Sequence, residues 1–290
     1  MALIDALIGG LLLGTLFALV GMGLTLVYGV LDIINLAHTG FMIGGAYLTF
    51  VLVEQTGIHM YATIPIVFVM MFAIGYAVQR TVIQRVVGER QLFVFILTFG
   101  IAEVFRGGIL ATIGPNLRFL EPELPFDTVT LLGARISAPN VAMVIGVVIT
   151  GILTWLFLQH TRTGKAMRAT RDDAFAAEVM GVDIPFIYAI TMAISAATAG
   201  VAGVFLISLQ PITPEAIVLW LAYAFIVVVV GGLGSIPGAV LGGLTLGVFM
   251  RLMQFYVGSG PGLALAFFLL VALLVIRPTG IMGVEHELRH

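Results

Sequence analysis

Apolar stretches recur along this chain near 3–28, 40–55, 61–79, 92–112, 140–160, 186–208, 217–233, 236–256 and 262–277, with few charges inside them. A helix rises about 1.5 Å per residue, so roughly 20 apolar residues cross about 30 Å of hydrocarbon. In lipid the backbone polar groups must be satisfied within the segment, which leaves helices as the form such stretches can take. The 290 residues are 60% hydrophobic and only 10% charged, against about 25% charged in soluble domains. Polar side chains are too scarce to coat a water-soluble core. The expected fold is an all-α polytopic membrane protein, a bundle of about eight or nine transmembrane helices forming one domain over 1–290. The count is a range because Gly and Pro interrupt the pattern at 28–40 and 231–238, where a broken or re-entrant helix has the hydropathy of a crossing. The start, Met1 to Asp5, lacks the Lys/Arg region of a cleaved signal, so 3–28 is expected to be a retained span.

Charge placement orients the bundle, because Lys and Arg collect in short cytoplasmic connections. Nine of the thirteen basic residues share one side: Arg80, Arg85 and Arg90; Arg162, Lys165, Arg168 and Arg171; Arg277 and Arg289. The connection 113–139 carries Glu121, Glu123 and Asp127 with Arg118 and Arg135, and Pro115, Pro122, Pro125 and Pro139, as suits an ordered external loop. Nine crossings put the N-terminus outside and the C-terminus in the cytoplasm. The absence of cysteine excludes disulfides, thiolate nucleophiles and Cys-based zinc sites. A net charge of −2 without a basic stripe argues against nucleic acid as a partner.

The 35 glycines fall partly in small-residue steps of four: Gly10/Gly14, Gly40/Gly44, Gly234/Gly238/Gly242, Gly243/Gly247 and Ser195/Ala199/Gly203. Such steps let membrane helices approach closely. They read as packing seams, some of which could slide during transport.

Residues 3–55 are apolar for far longer than one crossing without a charged loop, so the chain must break within or at the edge of the membrane. Around that break, Thr25, Tyr28, Asp32, Asn35 and Thr39 recur at steps of 3, 4, 3 and 4, with His38 alongside. Helical stretches place such positions on one face. Polar groups at membrane depth usually meet a partner or a water-filled path, so these six residues are a candidate solute pathway or gate. The alternative is that Asp32 caps a half-helix while Asn35 and His38 satisfy freed backbone groups.

The connection 161–185 holds a second constellation. Thr170 and Asp173 read as a capping-box pair, Asp172 complements the helix dipole, Gly181 fits a left-handed C′ position and Pro185 ends the helix. Phe175 and Val179 lie four apart with Ala176 and Met180 beside them, an apolar face on a loop that water surrounds. Docking onto another protein is one use of such a face, and packing on the chain's own helix ends is the other. The single lysine, Lys165 in Arg-Thr-Gly-Lys-Ala, lacks the first glycine and the following hydroxyl of a P-loop, so any ATP-driven step belongs to a separate subunit. Glu103 and Arg106, three apart, read as a structural ion pair. Arg251 and Gln254 are expected to snorkel to the external interface, and Pro211, Pro214 and Glu215 mark a turn.

Four stretches resemble the LivH-type permeases of branched-chain amino acid ABC transporters: Gly23 to Val30, Ile34 to Gly40, Thr163 to Val182 and Gly231 to Gly243, with the ending Arg277-Pro278-Thr279-Gly280-Ile281. The family's usual Ile-Asn-Phe-Ala-His-Gly stands here with Leu36 and Thr39. The resemblance implies a bacterial inner-membrane permease working with two ATP-binding cassette ATPases, a second LivM-like permease or second copy, and an external solute-binding protein. It implies that ATP and Mg bind on the ATPases and that this chain binds no cofactor. A degenerate coupling helix of the family corresponds to Ala176, Ala177, Glu178 and Gly181, although Ala-Ala-Glu replaces the usual Glu-Ala-Ala order; with Phe175, Val179 and Met180 of the apolar face they make up the candidate ATPase-coupling segment. The same family resemblance extends to urea and other small-solute permeases. Two other classes remain: an ion-coupled secondary transporter using Glu103, Asp32 and His38, and a membrane enzyme, disfavoured because no nucleophile–base pair or metal spacing lies in the spans.

Overall fold

The computed structural model describes residues 2–282 apart from 123, 125, 126, 132, 133, 259 and 278. Met1, Glu123, Pro125, Pro278 and Arg289, invoked above, lie outside the described residues. Each of the nine apolar stretches is a helix: α1 (Ala2–Leu31), α2 (His38–Thr56), α3 (Ile64–Thr81), α4 (Gln91–Thr112), α5 (Ala138–His160), α8 (Ile184–Leu209), α9 (Ala216–Gly231), α10 (Ile236–Val257) and α11 (Gly262–Ile276). The 161–185 connection adds α6 (Arg162–Asp172) and α7 (Ala174–Val179). Among the described residues, six helical stretches are long and apolar enough to cross a membrane unaided. The 16 residues of α9 and 15 of α11 extend only about 24 and 22 Å.

The described part of the 113–139 connection contains paired strands. A hairpin of β1 (Thr128–Leu131) and β2 (Ala134–Ser137) pairs antiparallel, with Thr128 opposite Ser137 and Leu131 opposite Ala134. A second strap joins Arg118 to Ile212 through reciprocal backbone bonds of 3.0 and 2.9 Å, fixing the loop to the α8–α9 connection.

Helix α8 is the core of the bundle, with 94% of its most apolar stretch buried. Its small residues admit two neighbours, α2 and α3, at close range. A Cβ added at Gly75 of α3 would meet Ala196, one at Gly45 of α2 would meet Gly200 backbone, and one at Gly203 would meet Met42 and Ala46 of α2. A separate seam joins α1 to α10: Gly10 faces Val248, Gly14 faces Leu244, Gly243 faces Ala18 and Gly247 faces Gly10 and Gly14, all at backbone level. Close backbone approach is the use small residues have in membrane bundles, where dispersion replaces the hydrophobic driving force. The expected Gly40/Gly44 pair does something different, receiving chiefly the Phe105 ring of α4, with Ala102 Cα behind it at Gly40. Gly234 lies in the α9–α10 turn at φ +78 and faces Gly29, while Gly238 and Gly242 of that trio pack on Gly231.

The two ends of the bundle differ. At one, the end of α1 meets the α9–α10 turn and α6, because a Cβ at Gly29 would lie 3.5 Å from both Arg171 Cδ and Gly234 O. The last described residues return there, Ile281 N–H donating to Val230 O and Met282 N–H to Gly231 O, each at 2.9 Å. Those bonds satisfy carbonyls that the end of α9 would leave open. This basic end carries the 82–90 and 161–183 connections and Arg277.

Candidate functional site

The chain breaks between α1 and α2 at residues 32–37. Asp32 has φ +52, the one positive φ at a non-glycine among the described residues, and its N–H still bonds Tyr28 O at 2.9 Å. Asp is among the few side chains that tolerate this left-handed region. Beyond it Asn35 Nδ2, Leu36 N–H and Thr39 Oγ1 each find a partner on a different helix, and Asn35 Oδ1 finds one within the break. Asn35 Oδ1 accepts from Ala37 N–H at 3.0 Å and its Nδ2 donates to Met192 Sδ of α8 at 3.2 Å. Leu36 N–H donates to Thr98 Oγ1 of α4 at 3.2 Å. Thr39 Oγ1 donates to Ile217 O of α9 at 2.9 Å.

His38 is fully buried and bridges α1 and α8, with Nε2 2.9 Å from Val20 O and Nδ1 3.1 Å from Ser195 Oγ. A carbonyl can only accept, which assigns the proton to Nε2 and makes Nδ1 the acceptor of the Ser195 hydroxyl. Gly23 leaves room for this ring, since a Cβ there would stand 2.8 Å from His38 Cε1.

The six expected pathway residues therefore divide at the break. Thr25, Asn35, His38 and Thr39 are buried, while Tyr28 is half-buried and Asp32 exposed at the basic end. Thr25 Oγ1 is buried without a hydrogen-bond partner. Beside Tyr28, a space of about 10 Å³ is lined by Leu24, Ile33, Phe225, Val229 and Leu233, room for about one water. The bridging partners Val20, Met192, Ser195 and Thr98 escaped the sequence reading. Ser195 had signalled only as a small residue in a packing step, and a backbone carbonyl has no sequence signal at all.

At 161–185 the chain folds as two helices, which corrects the capping-box expectation. Thr161 caps α6, its Oγ1 accepting from Gly164 N–H at 2.9 Å, and Thr170 lies inside α6 with its hydroxyl donating to Ala166 O at 2.9 Å. Asp173 alone caps α7, accepting from Ala176 N–H at 2.9 Å. Gly181 has φ +89, and Val182 N–H bonds Ala177 O at 3.0 Å, closing the helix as the left-handed C′ reading requires. Pro185 occupies the first turn of α8, starting that helix. Helix α6 is anchored to α5: Arg168 Nη1 donates to Leu158 O, and any Cβ at Gly164 would collide with the Phe157 and Leu158 carbonyls.

Of α7, only Ala177 turns inward. Phe175, Val179 and Met180 are 76, 71 and 84% exposed, and Ala176, Glu178 and Gly181 are exposed with them. A patch of large apolar side chains held on a capped, anchored helix needs a covering surface, and the chain's own helix ends do not supply it.

A family model described as branched-chain amino acid transport system / permease component matches residues 6–276. The chain belongs to this permease family. It is 30% identical to the high-affinity branched-chain amino acid transport system permease protein BraD of Pseudomonas aeruginosa, over 97% of this chain and 95% of that one. With the corresponding LivH protein of Escherichia coli it shares 29% identity over the same proportions. The fold resembles a chain of PsaBC from Streptococcus pneumoniae in complex with Fab, with a TM-score of 0.53 at 16% identity over 96% of this chain and 93% of that one. As a member of this family the chain is a multi-pass permease subunit of an ABC importer. The groups considered for ion coupling do not form a cluster: Glu103 is held by Arg106 at 2.6 Å, His38 by Val20 and Ser195, and Asp32 is exposed.

Proposed function

We propose that this chain carries branched-chain amino acids, or closely related small solutes, across the bacterial cytoplasmic membrane as one half of the permease of an ATP-driven importer. The family match over residues 6–276 carries this reading. The basic connections then face the cytoplasm, as the positive-inside rule requires, and the C-terminus lies there too. The exposed apolar patch of α7 sits on that side and docks into a groove of a partner ATPase, where ATP and Mg bind. Two such ATPases, a second LivM-like permease or second copy of this chain, and an external binding protein complete the complex.

In this reading Thr25, Tyr28, Asp32, Asn35, His38 and Thr39 form a gate in its closed state. The hydrogen bonds from Asn35, His38 and Thr39 tie the break to α8, α1 and α9, and those bonds exchange partners when access alternates. Half-helix ends at such a break offer backbone donors and acceptors to an amino acid's charged groups. Co-expression of the chain with candidate partners, followed by L-leucine uptake into proteoliposomes given binding protein and ATP, tests the assignment. Uptake that follows an ion gradient and ignores ATP would overturn it.

A further inference from the structure

At the end of the bundle opposite the basic connections, the start of α1, strand β2, the start of α5 and the end of α10 line an open cleft of about 380 Å³. That is within the roughly 300–1,000 Å³ of small-molecule sites. Its lining is of two kinds: Ile8, Leu12, Ile136 and Phe255 are apolar, and Asp5, Arg135, Asn140, Arg251 and Gln254 are polar. None of these polar groups belongs to the gate or to the coupling helix.

The glycine seam places the charges. Arg251 lies beside Gly9, where a Cβ would stand in ordinary contact 3.7 Å from Arg251 Nε. The guanidinium thus lies against α1 one turn from Asp5, which is four residues away on the same face. Arg251 Nη1 donates to Gln254 Oε1 at 3.0 Å, and Asn140 Nδ2 donates to Ser137 Oγ at 2.7 Å, leaving its amide oxygen free to accept. The two ion pairs among the described residues are Glu103–Arg106 and Arg171–Asp172. Asp5, Arg135 and Arg251 therefore line one cleft with opposite charges that are not spent on each other.

We propose that this cleft binds a zwitterion with an apolar tail, an ammonium facing Asp5 and an oxyanion facing Arg135 and Arg251. Guanidinium groups recognise carboxylate and phosphate oxygens through paired N–H donors, and Ile8, Leu12, Ile136 and Phe255 receive the aliphatic part. Two sources share this chemistry: a free branched-chain amino acid and the head group of phosphatidylethanolamine. The amino-acid source rests on the proposed function, in whose orientation the cleft faces outward and would hold solute before it enters the bundle.

The test uses the complex containing this chain, purified without binding protein into nanodiscs of phosphatidylglycerol. L-leucine binding is measured for the wild type and for Asp5→Asn, Arg135→Gln, Arg251→Gln and Arg251→Lys, and leucine methyl ester serves as the probe lacking a carboxylate. At least tenfold weaker leucine binding is expected in Asp5→Asn and Arg251→Gln, a smaller loss in Arg251→Lys, and at least tenfold weaker binding of the ester by the wild type. Size-exclusion profiles matching the wild type certify that the variants are folded. Phosphatidylethanolamine is the second arm, read by native mass spectrometry. If it is retained by the wild type, lost from Asp5→Asn and Arg251→Gln, and leucine does not bind, the site stands with lipid as its source. Binding of neither probe, or equal binding by wild type and folded variants, overturns the proposal. Leucine uptake by the full system with binding protein and ATP is measured in parallel. Uptake without cleft binding defeats the cleft alone, and cleft binding without uptake of any branched-chain amino acid defeats the transport reading alone.

Discussion

Replacing His38 with leucine separates a gate from a structural cap. The substitution removes contacts at 2.9 Å to Val20 O and 3.1 Å to Ser195 Oγ from a fully buried position. Val20 O keeps its intrahelical partner, so the main loss is the orphaned Ser195 hydroxyl, which costs about 1–3 kcal/mol in a dry site. Side-chain hydrogen bonds within membrane bundles average about 0.6 kcal/mol and reach about 1.7 kcal/mol. Even a chain with only about 5 kcal/mol of stability would keep about 2 kcal/mol after the larger loss, a folded-to-unfolded ratio near 30. The amount of folded complex should therefore hardly change. A gate whose two states are balanced by one such bond would shift by about threefold to eighteenfold. The assay is leucine uptake into proteoliposomes, normalised to complex recovered by size exclusion, for His38→Leu and for Asn35→Leu. Uptake per folded complex should fall by at least threefold in each. If uptake and recovered complex decline in equal proportion, the two residues are caps and the gating argument fails.

Phe175→Asp should leave the chain in the membrane and abolish co-purification with ATPase, since it places a charge on a side chain that is 76% exposed here and that the proposed docking would bury; undiminished association and transport would show that α7 does not dock as proposed. The chain purified alone should hydrolyse no nucleotide, for want of the P-loop pattern around Lys165, and phosphate release by a rigorously purified sample would contradict this. Gly247→Leu should strip folded protein from the membrane, because even its Cβ would collide with Gly10 and Gly14 backbone, whereas Gly100→Ala, with nothing within 4 Å, should accumulate as wild type does; fluorescence-detected size exclusion compares the two.

The helices were legible because crossing a bilayer is a one-dimensional constraint, so length and apolarity locate α1 to α5 and α8 to α11 without knowledge of packing. The break after Leu31 was legible for a related reason, as the only way to fit 3–55 into spans of ordinary length. What each polar side chain at that break bonds to was not. Met192, Ser195 and Ile217 lie more than 150 positions along the chain from Asn35, His38 and Thr39, and no local pattern encodes such a pairing. The division of 161–185 into α6 and α7 failed for a local reason. Thr170 and Asp173 fit the capping-box spacing, yet Thr161 had already started a helix that ran through Thr170 and spent its hydroxyl on Ala166 O. The Gly40/Gly44 step looked like a backbone seam because spacing cannot tell a glycine facing another helix's backbone from one facing the ring of Phe105.

The glycine contacts divide the bundle into two blocks, and that division locates where motion can occur. Within one block α1 and α10 touch through Gly10, Gly14, Gly243 and Gly247; within the other α8 touches α2 and α3 through Gly200, Gly203 and Gly75. Backbones in direct contact have no side chains left to repack, so a packed seam of this kind shifts as a unit instead of deforming. Between the blocks, contact includes side-chain hydrogen bonds, Val20 to His38 to Ser195 across α1, α2 and α8, and Thr39 to Ile217 across α2 and α9. Hydrogen bonds can exchange partners at a small net cost, and Thr25 carries a buried hydroxyl with none in the present state. Arg171 of α6 and Gly234 of the α9–α10 turn meet at Gly29 of α1, three residues before the chain turns at Asp32. If α7 docks as proposed, a force applied there would meet the glycine seams first and reach the side-chain hydrogen bonds at the break, the place the proposed gate needs the chain to give.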